Sequence, residues 1–275
     1  KNIWRHNKLK VNDLSQLAKK YRKEIFEKFL LTKQGHPGSI FSMMELAVTL
    51  YHGGYVRLDK EKKSFKDKVL ISKGHATSTL YPILRDFGII DKSEWDNWGK
   101  SKTKLRIFGN TKIPGIDITS GSLGHCVGSG AGMALYYARN NLDKKVFVII
   151  SEGELYEGST WEALLFARHH NLKNLVIIID INNLIILGKT QDCLNLDPID
   201  KKIEGLGIDC QKINGHSISE ITKALDLIEK NNNLSCVLAK TIKGKGSSIM
   251  ENQKNWHYWN PMTDEQIKKT REELK

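Results

Sequence analysis

The stretch Val146-Phe147-Val148-Ile149-Ile150-Ser151-Glu152-Gly153-Glu154, answered by Leu175-Val176-Ile177-Ile178-Ile179-Asp180-Ile181-Asn182-Asn183, decides the fold class. Each half is an apolar run without alternation that breaks into polar residues, the pattern of a strand buried on both faces. Residues 160–171 between them have helical periodicity. Two further runs of this kind stand at residues 69–72 and 235–241, and residues 218–230 form another amphipathic stretch. Apolar strands alternating with helices predict an α/β fold, a mostly parallel sheet flanked by helices. Ligands of such sheets sit at the carboxyl ends of the strands. The residues just after each run are therefore the candidates: Ser72-Lys73-Gly74-His75, Ser151-Glu152-Gly153-Glu154, Asp180-Ile181-Asn182-Asn183 and Lys243-Gly244-Lys245-Gly246.

Upstream, Leu14, Leu17, Ala18, Tyr21, Ile25 and Phe29 recur at helical steps, and Gly35-His36-Pro37-Gly38-Ser39 interrupts them as a turn before residues 40–51 resume the period. Residues 231–233 read as another turn. The 275 residues, 40% apolar and 27% charged, fit a globular chain and exclude a disordered or fibrous one. No apolar run approaches the ~18 residues that cross a bilayer, and residues 1–10 are polar and basic without a secretory apolar segment. No membrane association is expected. Cys126, Cys193, Cys210 and Cys236 are scattered, so neither a disulfide scaffold nor a zinc site is expected, and the default setting is reducing and cytoplasmic. The net charge of +12 comes from 43 Lys and Arg against 31 Asp and Glu, clustered modestly at residues 60–68 and 100–106. It fits a solvated surface first and an anionic small-molecule site second. No nucleic-acid module accompanies it.

Glu152 and Asn182 are the sharpest chemical signal. A carboxylate and an amide oxygen, each at the tip of a neighbouring strand, suit Mg2+ or Ca2+, with a phosphate as the usual Mg2+ companion. The plainer reading is that both cap the elements that follow. Gly124, Gly128 and Gly132 recur every four residues in a helical segment and would leave one bare face for close packing or an intersubunit contact. Neither Gly128-x-Gly130-x-Gly132 nor Lys243-Gly244-Lys245 has the spacing of a dinucleotide or P-loop motif.

The series from Ser151-Glu152-Gly153-Glu154-Leu155-Tyr156-Glu157-Gly158 through Trp161-Glu162-Ala163 to Asp180-x-Asn182 resembles the thiamine diphosphate signature of transketolases, whose closing Asn follows thirty residues after the acidic residue. Gly35-His36-Pro37-Gly38-Ser39, Ser72-Lys73-Gly74-His75-Ala76, Gly121-Ser122-Leu123-Gly124, Lys243-Gly244-Lys245-Gly246 and Trp256-His257 follow in the family's order. The chain is most similar to the short proteins that form the N-terminal half of a split transketolase. The resemblance implies two cofactors, thiamine diphosphate and Mg2+, the metal held by Glu152, Asn182 and the main-chain oxygen of Leu184. It places Gly153 and Glu154 beside the diphosphate. It places His75 and His257 on the diphosphate side, His36 toward the sugar hydroxyls, and Gly121, Ser122 and Leu123 against the aminopyrimidine. Glu157 and Glu162 would link paired sites across a subunit interface, and His36, His75, His257 and Glu157 would form the catalytic set.

The implied reaction moves a two-carbon ketol unit from a ketose to an aldose, with a sugar phosphate or nucleotide-linked sugar as anionic substrate. Residues 1–255 would be the diphosphate-binding domain and residues 256–275 a helical tail. The pyrimidine-binding domain, with the carboxylate that activates the cofactor, would come from a partner subunit in an α2β2 assembly. Two departures stand out. Glu152 occupies a position where the family usually has Asp. A substrate-facing His of many transketolases is missing where Arg106-Ile107-Phe108 stands, Ile107 taking its place, and His125 is the expected partial replacement. The rival readings are the α subunit of a 2-oxo acid dehydrogenase or a non-catalytic cofactor-binding subunit. His6, His52, His169, His170 and His216 match no motif and receive no role.

Overall fold

The computed structural model describes residues 9–59, 61, 63–231 and 233–275. Outside the described residues lie the basic N-terminal residues 1–8 with His6, Lys60 and Lys62 of one basic cluster, and Asn232 of the turn expected at 231–233. Helices α1 (Val11–Thr32), α2 (Pro37–Ser42), α3 (Met44–His52), α4 (Tyr81–Asp86) and α5 (Lys92–Asp96) dominate the first third. A two-residue hairpin, β1 (Leu58–Asp59) with β2 (Ser64–Phe65), precedes the main sheet. That sheet comprises β3 (Lys68–Ile71), β4 (Val146–Ser151), β5 (Leu175–Ile181), β6 (Asp209–Asn214) and β7 (Ser235–Lys240). All its neighbours pair in parallel, in the order β3-β4-β5-β7-β6. Between and after the strands run α6 (Cys126–Arg139), α7 (Gly158–His169), α8 (Thr190–Leu194), α9 (Ile199–Gly205), α10 (Ile218–Asn231) and α11 (Asp264–Glu273).

The runs are apolar throughout because each face of the sheet has its own core. Phe147, Ile149, Val176, Ile178 and Val237 point to one face, where Tyr21, Ile25 and Phe29 of α1, Leu50 of α3 and Leu225 of α10 join them. Val146, Val148, Ile150, Ile177 and Ile179 point to the other, under Val127 and Ala134 of α6 and Leu164 of α7. Successive side chains alternate faces, so a strand covered on both sides must be apolar at every position. Helix α11 belongs to the first of these cores: Leu274 just after it is buried there, and Arg271 pairs with Glu27 of α1 at 2.8 Å.

Three expectations are corrected. Strand β6 is a fifth parallel strand; its sequence, Asp209-Cys210-Gln211-Lys212-Ile213-Asn214, is polar because none of its side chains is fully covered, unlike those of β3 at the opposite edge. The turn at residues 35–39 ends at His36, for Pro37 already opens helix α2, where a fixed φ and missing N–H are tolerated. Gly124 is not on the helical glycine face: it lies before α6 with φ +88°, in a turn closed against Glu157 and Ser159. Gly128 and Gly132 do stand exposed on α6, while Gly130 faces the sheet, where a Cβ would meet Val148 at 2.5 Å.

Candidate active site

Four strand tips converge at the carboxyl edge of the sheet. From β3 the chain enters Ser72-Lys73-Gly74-His75, and Gly74 is required because a Cβ there would collide with the carbonyl of Ser120. From β4 it enters a 3-10 turn, Glu152–Tyr156, from β5 the Asn182-Asn183-Leu184 bend, and from β7 the Thr241-Ile242-Lys243 segment. Beneath the site these tips are tied together by Asp180, which is fully buried and accepts hydrogen bonds from Lys73 Nζ, Ser42 Oγ (2.5 Å) and Thr241 Oγ1. Burial alone would push the Asp180 carboxyl up; the Lys73 ammonium and the two hydroxyls hold it below its ordinary value.

His36, His75 and His257 come together from three separate segments. Their ring centroids form a near-equilateral triangle with sides of 5.1, 5.3 and 5.4 Å. All three imidazoles titrate low. Burial, then the Lys243 ammonium, lowers His36 and His257 to about 4 each, with His36 a further cause at His257; burial, His36 and Lys73 lower His75 well below its usual range. At neutral pH the triangle is therefore uncharged and offers both donors and acceptors. His75 Nε2 lies 2.9 Å from Ser39 Oγ. Lys243 Nζ donates to His257 Nδ1 at 3.1 Å, which leaves the His257 proton on Nε2. His36 Nδ1 is buried without a hydrogen-bond partner, an arrangement native interiors rarely leave unless a ligand completes it.

The oxygen set lies on the adjoining tips. Glu152 Oε2 accepts from Asn183 N at 2.8 Å, and Asn182 Oδ1 accepts from Leu184 N at 3.3 Å. Both side chains thus brace the bend, in partial agreement with the plainer capping reading. Burial raises the Glu152 carboxyl, against the bonds from Thr190 and Asn183. Leu184 O accepts from Lys243 Nζ at 3.4 Å. Lys243, 2% exposed, is lowered to about 8 by burial and then by Lys73. Glu154 is fully buried, its Oε1 accepting from Ser72 Oγ and from Gly124 N at 3.0 Å, and its Oε2 has no partner. It thereby anchors the Gly121-Ser122-Leu123-Gly124 segment, of which Gly121 and Ser122 are exposed and Leu123 half-buried.

One carboxylate, one amide oxygen and one carbonyl suit Mg2+ completed by phosphate oxygens. Among the described residues no cluster of three His, Cys, Asp or Glu competes for a metal. The unpartnered nitrogen of His36, the two buried lysines and this all-oxygen set fit a diphosphate bound with a divalent cation. Gly153 is more enclosed than expected, since a Cβ on it would meet Ile185 Cγ2 at 2.8 Å.

Other residues fall outside the triangle. Glu157 and Glu162 are exposed, at and just inside the start of α7. His125 is exposed at the start of α6 and makes no ring contact with the three histidines, because the turn at Gly124 carries it past them. Phe108, next to Ile107, meets His36 with ring centroids 5.6 Å apart, and Tyr258 packs on the same imidazole at 4.8 Å. Sequence reasoning placed Lys73, Asp180 and Lys243 among the strand-tip candidates without giving them a role, and it missed Phe108 and Tyr258, which no local pattern marks. His52 and His216 are half-buried and structural: His52 stacks on Phe87 at 4.7 Å, and His216 bridges Glu45 Oε2 (2.9 Å) and Ile242 N (2.8 Å).

The family described as "Transketolase, thiamine diphosphate binding domain" matches residues 15–275. The chain is 33% identical over 273 residues to an apulose-4-phosphate transketolase subunit of Actinobacillus succinogenes, covering 97% of this chain and 98% of that one. It is 32% identical over 243 residues to a 6-deoxy-6-sulfo-D-fructose transketolase subunit of a Clostridium species, covering 87% and 88%. Human transketolase is 31% identical over 252 residues, which are 90% of this chain and 40% of the human one. The structure superposes on Campylobacter jejuni transketolase with a TM-score of 0.88 at 27% identity, covering 97% of this chain and 43% of that one. The chain thus spans nearly all of the subunit-length relatives and about two fifths of the full-length transketolases.

Proposed function

Because the chain belongs to the transketolase family by its thiamine diphosphate-binding domain, we propose that it is the N-terminal subunit of a two-subunit transketolase. It transfers a two-carbon ketol unit from a ketose to an aldose, in complex with a pyrimidine-binding partner, in an α2β2 assembly and in a cytoplasmic setting. The relatives are named for ketol transfer and as subunits, which favours this reading over a 2-oxo acid dehydrogenase subunit. Their names specify a sugar phosphate or a sulfonated sugar, so an anionic sugar is the substrate class. The observation that carries the reading is the neutral histidine triangle lying beside the all-oxygen set and two buried lysines on adjacent strand tips.

Bound thiamine diphosphate supplies a nucleophilic carbon and an electron sink for the ketol unit, chemistry that side chains lack. The chain's residues bind and orient. Glu152, Asn182 and Leu184 O would hold Mg2+ against the diphosphate, with Gly153 and Glu154 beside it, and Lys243 and Lys73 would add positive charge from below. Gly121, Ser122 and Leu123 would meet the pyrimidine through main-chain groups. His36 Nδ1, buried and unpartnered, would bond a sugar hydroxyl, and His75 and His257, uncharged at neutral pH, can pass a proton without leaving an ion in the cleft. Glu157 and Glu162, exposed on one helix, are placed for contact between subunits. The test is a ketol-transfer assay with light scattering on the purified chain, by itself and with its partner. Activity only in the mixed complex is expected. Full turnover by the chain alone would overturn the two-subunit reading.

A further inference from the structure

His36 is held in an aromatic clamp that bears on substrate choice. The imidazole is 5% exposed, and its Nδ1 lacks a partner. On one side stands Phe108, 44% exposed, its ring tilted 72° to the imidazole. On another stands Tyr258, 53% exposed. Phe108 also borders Gly121, where an added Cβ would come within 3.6 Å of the ring. The benzyl group therefore touches both the His36 imidazole and the exposed backbone at Gly121, and about two fifths of its surface is uncovered within the chain. A phenyl ring presents C–H and π surface and makes no conventional hydrogen bond to a hydroxyl, whereas the buried nitrogen near it needs a hydrogen-bond partner to be satisfied.

We propose that the substrate is a sugar that carries a hydroxyl for His36 Nδ1 and, on the neighbouring carbon, a C–H-only group for Phe108: a deoxy or otherwise deoxygenated sugar phosphate. The inference rests on the ketol-transfer reading and narrows its substrate class. A hydroxyl turned onto the ring would lose its water partners without replacement. Apolar pockets discriminate weakly, so the preference has an upper bound of roughly a hundredfold.

The experiment uses the complex with the partner subunit, β-hydroxypyruvate as ketol donor, and D-ribose 5-phosphate with its 2-deoxy and 3-deoxy counterparts as acceptors. At least one deoxy acceptor should match or exceed the parent in kcat/KM. Phe108→His should lower that deoxy-to-parent ratio tenfold or more, and Phe108→Leu, which keeps the surface apolar, should hold it within about threefold. A parent preferred at least tenfold over both deoxy sugars, or a ratio indifferent to Phe108→His, overturns the proposal. Release of CO2 from β-hydroxypyruvate without acceptor reports on the functional reading separately. If none is released, that reading fails and saturation-transfer NMR decides the clamp. Transfer from aromatic protons to a deoxy sugar phosphate's methylene that is lost in Phe108→His supports it, and absence of transfer in the native complex overturns it.

Discussion

Replacing Lys73 by Met should be among the most damaging single changes to this chain, although Lys73 contributes nothing to its apolar cores. The ammonium is 1% exposed and its partner Asp180 is fully buried. Lys73 Nζ donates to Asp180, to Ser42 Oγ at 3.3 Å and to Ser39 O at 3.1 Å. Methionine fills a similar volume but strands the carboxylate with two hydroxyl donors, Ser42 and Thr241. Breaking one side of a buried pair costs about 3–5 kcal/mol, since the remaining charge keeps its desolvation penalty. Against a total stability of about 5–15 kcal/mol, that is a third or more of a typical reserve. With a urea slope of about 1–3 kcal/mol/M, the midpoint should drop by 1 M or more. Lys73→Met combined with Asp180→Asn removes both charges and should recover most of the loss, giving a coupling energy of about 2 kcal/mol or more. Urea melts of the four proteins, followed by circular dichroism and by tryptophan emission, supply the cycle. A single-variant loss below about 1 kcal/mol, or simple additivity, would refute the idea that this pair holds the strand tips together.

Glu152→Ala should weaken Mg2+-dependent thiamine diphosphate binding at least tenfold, about 1.4 kcal/mol, while Glu152→Asp retains it; unchanged affinity by calorimetry in the alanine variant would dismiss Glu152 as a ligand. His216→Ala leaves the Ile242 N–H without its acceptor and takes one of its partners from Glu45, which keeps Arg22, and should cost about 1–3 kcal/mol in a thermal melt, so an unshifted melt would count against that bridge. Burial alone would raise the Glu45 carboxyl, yet Arg22 and His216 hold it at about 2, below its ordinary 4.5. Its folded pKa is depressed, so its contribution is complete above pH 4.5 and disappears as the pH falls toward 2. That window should take away about 3 kcal/mol in native protein and much less in Glu45→Gln, as acid titrations of unfolding would register.

Hydrophobic pattern made four of the five parallel strands legible, because a doubly covered strand such as residues 175–179 has no polar position to confuse its period. Strand β6 escaped for the converse reason: Asp209, Lys212 and Asn214 are exposed or half-buried at the sheet edge. Glu152 and Asn182 were legible as a pair because their strands are neighbours, with Ser151 and Asp180 in register. The convergence of His36, His75 and His257 was legible only through the resemblance, since no local rule brings residues so far apart in sequence into contact. The contact of Phe108 with His36 was not legible, because residues 106–110 follow no helical or strand period that would assign a side chain a direction. His216 was dismissed for lack of a motif, yet the loop before α10 carries it between Glu45 and Ile242.

The polar edge of β6 has a consequence for the molecule as a solute. An open sheet edge is a ready template for a strand from another molecule, and a long apolar one invites fibrillar growth. Here Lys212 is tethered to Asp200 of α9 at 2.5 Å, and Asp209 accepts from Asn233 Nδ2 at 3.0 Å. An incoming strand would have to displace both and desolvate a lysine, so the margin of the sheet repels what its centre would attract. Protection of this edge against an added strand is thus vested in a strand with no part in the chemistry. A library of variants selected for activity alone would leave that strand free to drift until the protein began to precipitate.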